Sequence, residues 1–279
     1  MLLLHLQMMR ILAVIPVFNP EIQLLRNDID AFADGVDTIL LWQNSPLDLS
    51  ALISRPWYGK LRSCGDGSNQ GISKALNFAW RTARSEGFDA VLTMDQDSVW
   101  KGFAEFIAKI SETTAPAGFY GPGINDQAFE GDFREAGSML TSGMLIPVEV
   151  LDSVGGWDEA FAVDGVDNEF FFHARELGIK GWLTGGCALV HQLGKVRSSR
   201  FLGLRFRTYN YPPGRLYGIY RNNLAVIRKY PSAKEFGRQF RRNWFWRKPI
   251  RILLGEKDVC AKFKAIFRGI RDARRYPNA

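Results

Sequence analysis

The sequence is poor in cysteine: Cys64, Cys187 and Cys260 lie far apart in 279 residues. An odd, scattered set without metal-ligand spacing excludes a disulfide-built secreted scaffold and points to a reducing, cytoplasmic setting. No window reaches 18 consecutive apolar residues, which excludes a membrane-spanning helix by hydropathy. The opening MLLLHLQMMR has only a short apolar run before Arg10 and no small-residue cleavage site, so it reads as neither a span nor a signal peptide. There is no heptad repeat and no low-complexity tract. What remains is an ordinary globular composition, 46% hydrophobic and 23% charged, on a chain long enough to bury a large core.

Charge is distributed unevenly. From Lys195 onward there are 23 Lys and Arg against 4 Asp and Glu, whereas residues 1–194 carry 13 basic against 25 acidic residues. This divides the chain into an acidic body, 1–194, and a basic, mainly helical region, 195–279. A basic extension of that strength implies an anionic partner surface, such as membrane phospholipid or a polyanionic ligand. No nucleic-acid-binding motif accompanies it. Two stretches in it, Phe236 to Trp246 and Val259 to Arg275, read as amphipathic basic helices with interleaved aromatic residues. A solvated helical layer covering the body fits the same pattern.

Within the body, three short apolar runs end in polar residues: Ile11 to Val17 before Phe18-Asn19, Asp37 to Trp42 before Gln43-Asn44-Ser45, and Ala90 to Met94 before Asp95-Gln96-Asp97-Ser98. Such runs read as buried parallel strands. A helix is predicted over Pro20 to Phe32, which makes the first unit βαβ and the fold α/β. A turn-rich loop, Gly65 to Gln70, leads into a helix whose Ile72, Ala75, Leu76, Ala79 and Ala83 share one face. Further helices are expected over Phe103 to Ile110, from Val148, and behind Asp164 to Glu169 as far as Gly178. Strands are expected in Met139 to Pro147 and Lys180 to Val190. The Gly-rich residues 120–138 read as a surface loop, and Ser98 as a cap for the helix that follows it.

Two features carry chemistry. Asp95 and Asp97, one residue apart at a strand end, repel each other and require a compensating cation; oxygen-only ligands favour Mg²⁺ or Mn²⁺ shared with phosphates. Taken alone, the triplet also suits a solvated helix start. The cluster Asp164 to Glu169 suits either a general base or a solvated acidic loop. The glycine-containing loop before Ile72 suits either a phosphate or base contact or a plain helix start.

The order of the motifs is more specific than any one of them: VIPVFN, QNS, GSNQGISKALN, MDQDS, GGWDEAFAVDGVDNEFFFHAR, VHQLG. Over residues 10–230 this resembles inverting glycosyltransferase family 2 with the GT-A nucleotide-sugar fold, and within it the rhamnosyltransferase-like branch acting on bacterial surface polysaccharides. The resemblance implies a mostly parallel sheet flanked by helices with a C-terminal basic helical extension. It implies that Pro16, Phe18, Asn19, Asn44, Asn69, Gly71, Asn77, Asp95 and Gln96 line the nucleotide-sugar site. Asp97, Asp95 and His191 would hold Mg²⁺ or Mn²⁺, and Asp167 would be the catalytic base. Two positions depart from the family pattern: Gln43-Asn44 stand where an acidic residue usually contacts the base, and His173 stands where an Arg often contacts the diphosphate, with Arg175 two residues later.

The implied reaction moves a sugar, rhamnose from its dTDP donor by this resemblance (a UDP-sugar being the other donor type), to a lipid-linked or growing surface glycan. The enzyme would be peripheral at the inner face of the cytoplasmic membrane. Two rivals share the fold: a nucleotidyltransferase, against which VIPVFNP lacks a basic glycine-rich signature, and a catalytically silent membrane-associated scaffold, against which Asp95, Asp97, Asp167 and His191 speak.

Overall fold

The three apolar runs become neighbouring strands. The computed structural model describes residues 9–125, 129–191, 197–201 and 204–276, with the side chains of 191–208 outside the description. In chain order the body contains β1 (Ile11–Val17), α1 (Ile22–Asp30), β2 (Thr38–Gln43), β3 (Leu61–Cys64), α2 (Ile72–Glu86), β4 (Ala90–Thr93), β5 (Ser98–Lys101) and α3 (Phe103–Ile110). It continues with β6 (Phe119–Ile124), β7 (Phe133–Glu135), β8 (Met144–Pro147), α4 (Val148–Val154), α5 (Val166–Glu176) and β9 (Gly181–His191). A hairpin of β10 (Arg197–Phe201) and β11 (Leu204–Thr208) leads to α6 (Pro213–Lys229), α7 (Lys234–Phe240), a π-helical segment Arg241–Arg247, α8 (Lys248–Gly255) and α9 (Val259–Ala273).

The main sheet runs β3-β2-β1-β4-β8-β6-β9-β5, with β7 against β9. β3, β2, β1 and β4 are mutually parallel, and β8 joins β4 antiparallel. Side chains of β1 alternate between the two faces. Leu12 and Val14 join a core with Leu76 and Ala79 of α2 and Phe170 of α5. Ala13, Ile15 and Val17 join a second core with Leu25 and Ile29 of α1 and Phe106 of α3. A strand buried on both faces has no polar alternation, which is why it reads as a continuous apolar run. Trp157 belongs to the core, buried and stacked on Phe170 with ring centroids 4.9 Å apart.

Two expectations are corrected. Residues 120–138 are not all surface loop: Phe119 to Gly123 are buried in β6, between β8 and β9. Its Tyr-Gly-Pro-Gly sequence looks like a turn, but Pro122 sits beside a register irregularity against β9, where a missing N–H is tolerated. A Cβ at Gly121 would lie 2.4 Å from Met139 Cε, so a larger residue there would displace the end of the Met139 side chain. Ser98 does not cap α3. It is buried as the first residue of β5, and the N-cap is Gly102, with φ 76°.

The helices after β11 build a small core of Leu216, Tyr220, Ile252 and Ile266. This layer rests on the body: Asn168 on α5 bonds Asn223 on α6 at 2.9 Å, and the Phe161 and Tyr276 rings meet edge to face. Glu256 is fully buried between Lys248 (2.5 Å) and Lys262 (2.8 Å).

Candidate active site

The carboxyl ends of β1, β2 and β4 meet at one edge of the sheet, where ligands of open α/β sheets gather. Asn19 adopts φ 45° just past β1 and donates its N–H to Ser45 Oγ at 2.7 Å. Pro16 lies within β1 opposite Trp42, and the Phe18 ring is half exposed. Gln96 grips the Phe18 backbone at both ends, accepting from its N–H at 2.7 Å and donating to its carbonyl at 3.1 Å. The DQDS turn is thereby locked to the end of β1.

The asparagines expected at the nucleotide site act as internal clamps. Asn44 is buried; its amide donates to Gly71 O at 3.2 Å and accepts from Gln70 N–H at 2.9 Å. Asn69 is exposed and closes a local turn onto Gly71 N–H. Asn77, buried on α2, accepts from Trp157 N–H at 2.9 Å and donates to Trp157 O at 2.8 Å and to Glu159 at 3.0 Å. Gly71 has φ 85°, and a Cβ there would lie 2.7 Å from the Ala162 carbonyl oxygen. That carbonyl accepts Ile72 N–H at 2.5 Å, and Ser73 Oγ donates to Phe161 O at 2.5 Å. The start of α2 is therefore joined to the segment that leads into the second acidic cluster.

Asp95 and Asp97 occupy the turn between β4 and β5, and Asp95 N–H is held by Ser142 Oγ at 3.0 Å. Their charge is felt at Asp28 on α1, which is buried with neither carboxyl oxygen hydrogen-bonded among the described residues. Burial first, then the negative charge of Asp95 and Asp97, holds the Asp28 carboxyl well above the usual carboxylate range. Hard oxygen donors at an open strand end fit a divalent cation that takes its remaining ligands from phosphates and water. Among the described residues no three His, Cys, Asp or Glu side chains are grouped to hold a metal unaided. The His191 side chain lies outside the described residues, but its backbone pairs with Ser98, one residue from Asp97.

Asp167 sits in the first turn of α5, after Gly165 with φ 82°. Burial pushes its carboxyl up to about 6; the N–H groups of Asn168 and Asp167 pull the other way, and Asp164 adds to the rise. Asp164, itself raised by burial against the opposing pull of Arg215, is 3.3 Å from Arg215 Nε. Asp95, Asp164 and Asp167 line one cavity of about 420 Å³, with Tyr211, Arg215 and Trp244 among its other walls. A second cavity of about 350 Å³ shares Asp167, Asn168 and Ser142 and extends toward β6. The cleft thus brings Asp95 together with Asp164 and Asp167.

Sequence reasoning missed the far wall. Tyr211 stacks with Tyr209 (5.5 Å) and Trp244 (6.4 Å), with Arg215 and Lys248 over its ring at 4.8 and 5.1 Å. The crowding of aromatic and basic residues from 209 to 248 was the available signal. His173 stacks on Tyr230, and Arg175 pairs with Glu135 at 3.7 Å, so neither of these two contacts is with a cleft residue.

An open α/β sheet with acidic residues at the end of its fourth strand and a carboxylate on a helix across the cleft is the arrangement that the GT-A resemblance implies. No family model matches the chain. It is 28% identical to the dTDP-rhamnosyl transferase RfbF of Shigella flexneri over 187 residues, 58% of this chain and 62% of that one; it therefore spans less than two thirds of this relative's length. The likeness supports the family 2, rhamnosyltransferase-like resemblance read from the motifs. S. aureus TarS 1-349 in complex with UDP-GlcNAc superposes with TM-score 0.63 at 14% identity, over 95% of this chain and 82% of that one. The mannosyltransferase PcManGT from Pyrobaculum calidifontis, in complex with GDP-Man and Mn²⁺, gives TM-score 0.59 at 14% identity, over 97% and 76%. At these identities the two structures establish the fold.

Proposed function

We propose that the protein transfers a sugar from a nucleotide diphosphate donor to a hydroxyl of a glycan acceptor with inversion, and that the donor is dTDP-rhamnose. The observation that carries the reading is that Asp95, at a strand end, and Asp167, in the first turn of a helix, line one cavity. In such a transfer the bond from the anomeric carbon to the diphosphate breaks as the acceptor oxygen attacks from the other face. Asp167 takes the acceptor's proton, and a carboxyl held near 6 is ionised yet basic at neutral pH. Asp95 and Asp97, with His191 beside them in register, would hold Mg²⁺ or Mn²⁺, which when bound supplies Lewis-acid stabilisation of the leaving diphosphate. Pro16, Phe18 and Asn19 form the donor rim, while Asn44, Asn69, Gly71, Asn77 and Gln96 hold the loops that shape it. The Tyr211–Trp244 wall offers flat faces to an acceptor sugar. Two readings on the sequence side belong here as well: a lipid-linked acceptor, and a place at the inner membrane face.

The test pairs binding with turnover. dTDP, UDP and GDP are compared by thermal shift with and without Mn²⁺ or Mg²⁺, and then transfer of rhamnose from dTDP-rhamnose to a lipid-linked glycan is assayed. A metal-dependent shift with dTDP and transfer that disappears in Asp167→Asn are expected. Equal indifference to all three nucleotides with either metal would remove the reading.

A further inference from the structure

We propose that the helical segment from Arg241 to Gly255 docks the protein on an anionic bilayer, with Trp246, Ile250 and Leu253 entering the headgroup boundary. The inference rests on the membrane-face reading above and deepens it by naming the segment that meets the lipid, on residues that the transfer reaction does not use.

Trp246, Ile250 and Leu253 are 73%, 55% and 62% exposed. Spacings of four and three residues put them on one side of the helix. On the other side, Ile252 is buried in a cluster with Leu216 and Tyr220 of α6 and Ile266 of α9, and Lys248 is buried against Glu256 and the Tyr211 ring. An ordinary surface helix turns its apolar stripe inward and its charges outward. This segment has an inward stripe and a second, outward one that no described residue covers. Exposed Arg242, Arg247 and Arg251 flank the outward stripe. Apolar residues with an indole, rimmed by arginines, match an interfacial helix: the stripe enters the acyl boundary while the guanidinium groups stay among phosphates.

Charge selects the occupant. Of the four acidic residues after Lys195, Glu235 pairs with Arg238, Asp272 with Arg271, Glu256 is buried between Lys248 and Lys262, and Asp258 alone is an exposed acid outside these pairs, against 23 basic residues. The outer surface is left strongly basic. A second copy seated on the stripe would bring arginine rim against arginine rim, a like-charge contact that disfavours association. An anionic bilayer supplies the opposite charge over the whole face. Among the described residues no helix is long and apolar enough to cross a membrane, so the segment lies on the surface. The position is apt: Trp244, two residues before Trp246, lines the cleft, and a small cavity bounded by Tyr209, Tyr211, Trp244 and Arg251 lies between cleft and stripe. A docked face there holds the cleft mouth near the headgroups, where a lipid-linked acceptor would be.

The experiment is co-sedimentation of the full chain with vesicles of phosphatidylcholine alone or mixed with phosphatidylglycerol. Binding to the mixed vesicles and not to the neutral ones is expected. The variant Trp246→Ser/Ile250→Ser/Leu253→Ser keeps every charge and is expected to bind about tenfold more weakly or less, through lost apolar insertion. Arg242→Gln and Arg251→Gln should each weaken binding about fivefold. The melting temperature and the nucleotide-induced shift of the triple variant report that fold and donor site are intact. Failure to bind anionic vesicles, or equal binding by the triple variant, overturns the proposal. So does a doubled mass in light scattering that the triple variant abolishes, because the stripe would then be a dimer contact. Lost vesicle binding with retained turnover on a soluble acceptor separates this surface from the reaction.

Discussion

Replacing Asp167 by Asn is expected to abolish transfer and at the same time stabilise the protein, but only at neutral and alkaline pH. The carboxyl is held at about 6 in the fold against an ordinary 3.8. That gap corresponds to ~3 kcal/mol spent on keeping Asp167 ionised. A carboxyl raised in this way binds its proton more tightly in the folded state than in the unfolded state. The cost is therefore absent below about pH 4, grows as pH rises from 3.8 to 6, and is complete above that range. The amide introduced by Asp167→Asn would keep the size and an acceptor oxygen for the N–H groups of the first turn while removing the charge. For a chain of this length ~3 kcal/mol raises the midpoint of thermal unfolding by about 5 °C. The assay is thermal unfolding of both proteins from pH 4 to pH 8, beside transfer rates over the same range. The difference in midpoint should open between pH 4 and 7. Wild-type turnover should rise with a midpoint near 6, and the variant should lose about 10²–10⁴-fold in rate. A midpoint difference that ignores pH, or a variant that still turns over at the wild-type rate, would refute the assignment of both the environment and the role.

Three further outcomes are expected. With Mn²⁺ and dTDP at about 100 times its Kd, wild type should gain ~2.7 kcal/mol, seen as several degrees in the melting midpoint; Asp97→Ala should lose the metal-dependent part and melt normally without ligand. Asn77→Ala strands the Trp157 N–H and carbonyl and should cost about 2–4 kcal/mol in urea unfolding; an unchanged midpoint would mean that the loop is held by other contacts. Glu256→Gln leaves Lys248 and Lys262 buried without their counter-charge and should cost about 3–5 kcal/mol by the same measurement.

Much of the body was legible because its determinants are local. Ile11 to Val17, Thr38 to Trp42 and Ala90 to Thr93 are buried on both faces, so each reads as an unbroken apolar run. The acidic turn after β4 was legible because charge at the end of such a run has no packing explanation. β6 was not, since Gly121, Pro122 and Gly123 carry turn chemistry and the strand exists only because β8 and β9 close on it. The asparagines show a different limit. Sequence can mark Asn44 and Asn77 as polar residues near a ligand loop, but whether the amide faces a ligand or a backbone depends on partners 27 and 80 residues away. The same holds for Glu256: in the sequence it is one acidic residue in a basic tail, and in the fold it pins two helices.

The joint between the start of α2 and residues 157–162 has a mechanical consequence. Gly71, Ile72, Ser73 and Asn77 all bear on that short segment, and the helix carrying Asp167 begins four residues after it. A loop that tightens over a donor would pull on the same segment, so occupancy of the donor half would alter the surroundings of the base before any acceptor arrives. Such coupling is reciprocal, and a bound acceptor would strengthen donor binding by the same factor by which the donor strengthens acceptor binding. Donor and acceptor affinities, each measured with and without the other as an unreactive analogue, should change by equal factors; independent affinities would show that the joint is rigid support and nothing more.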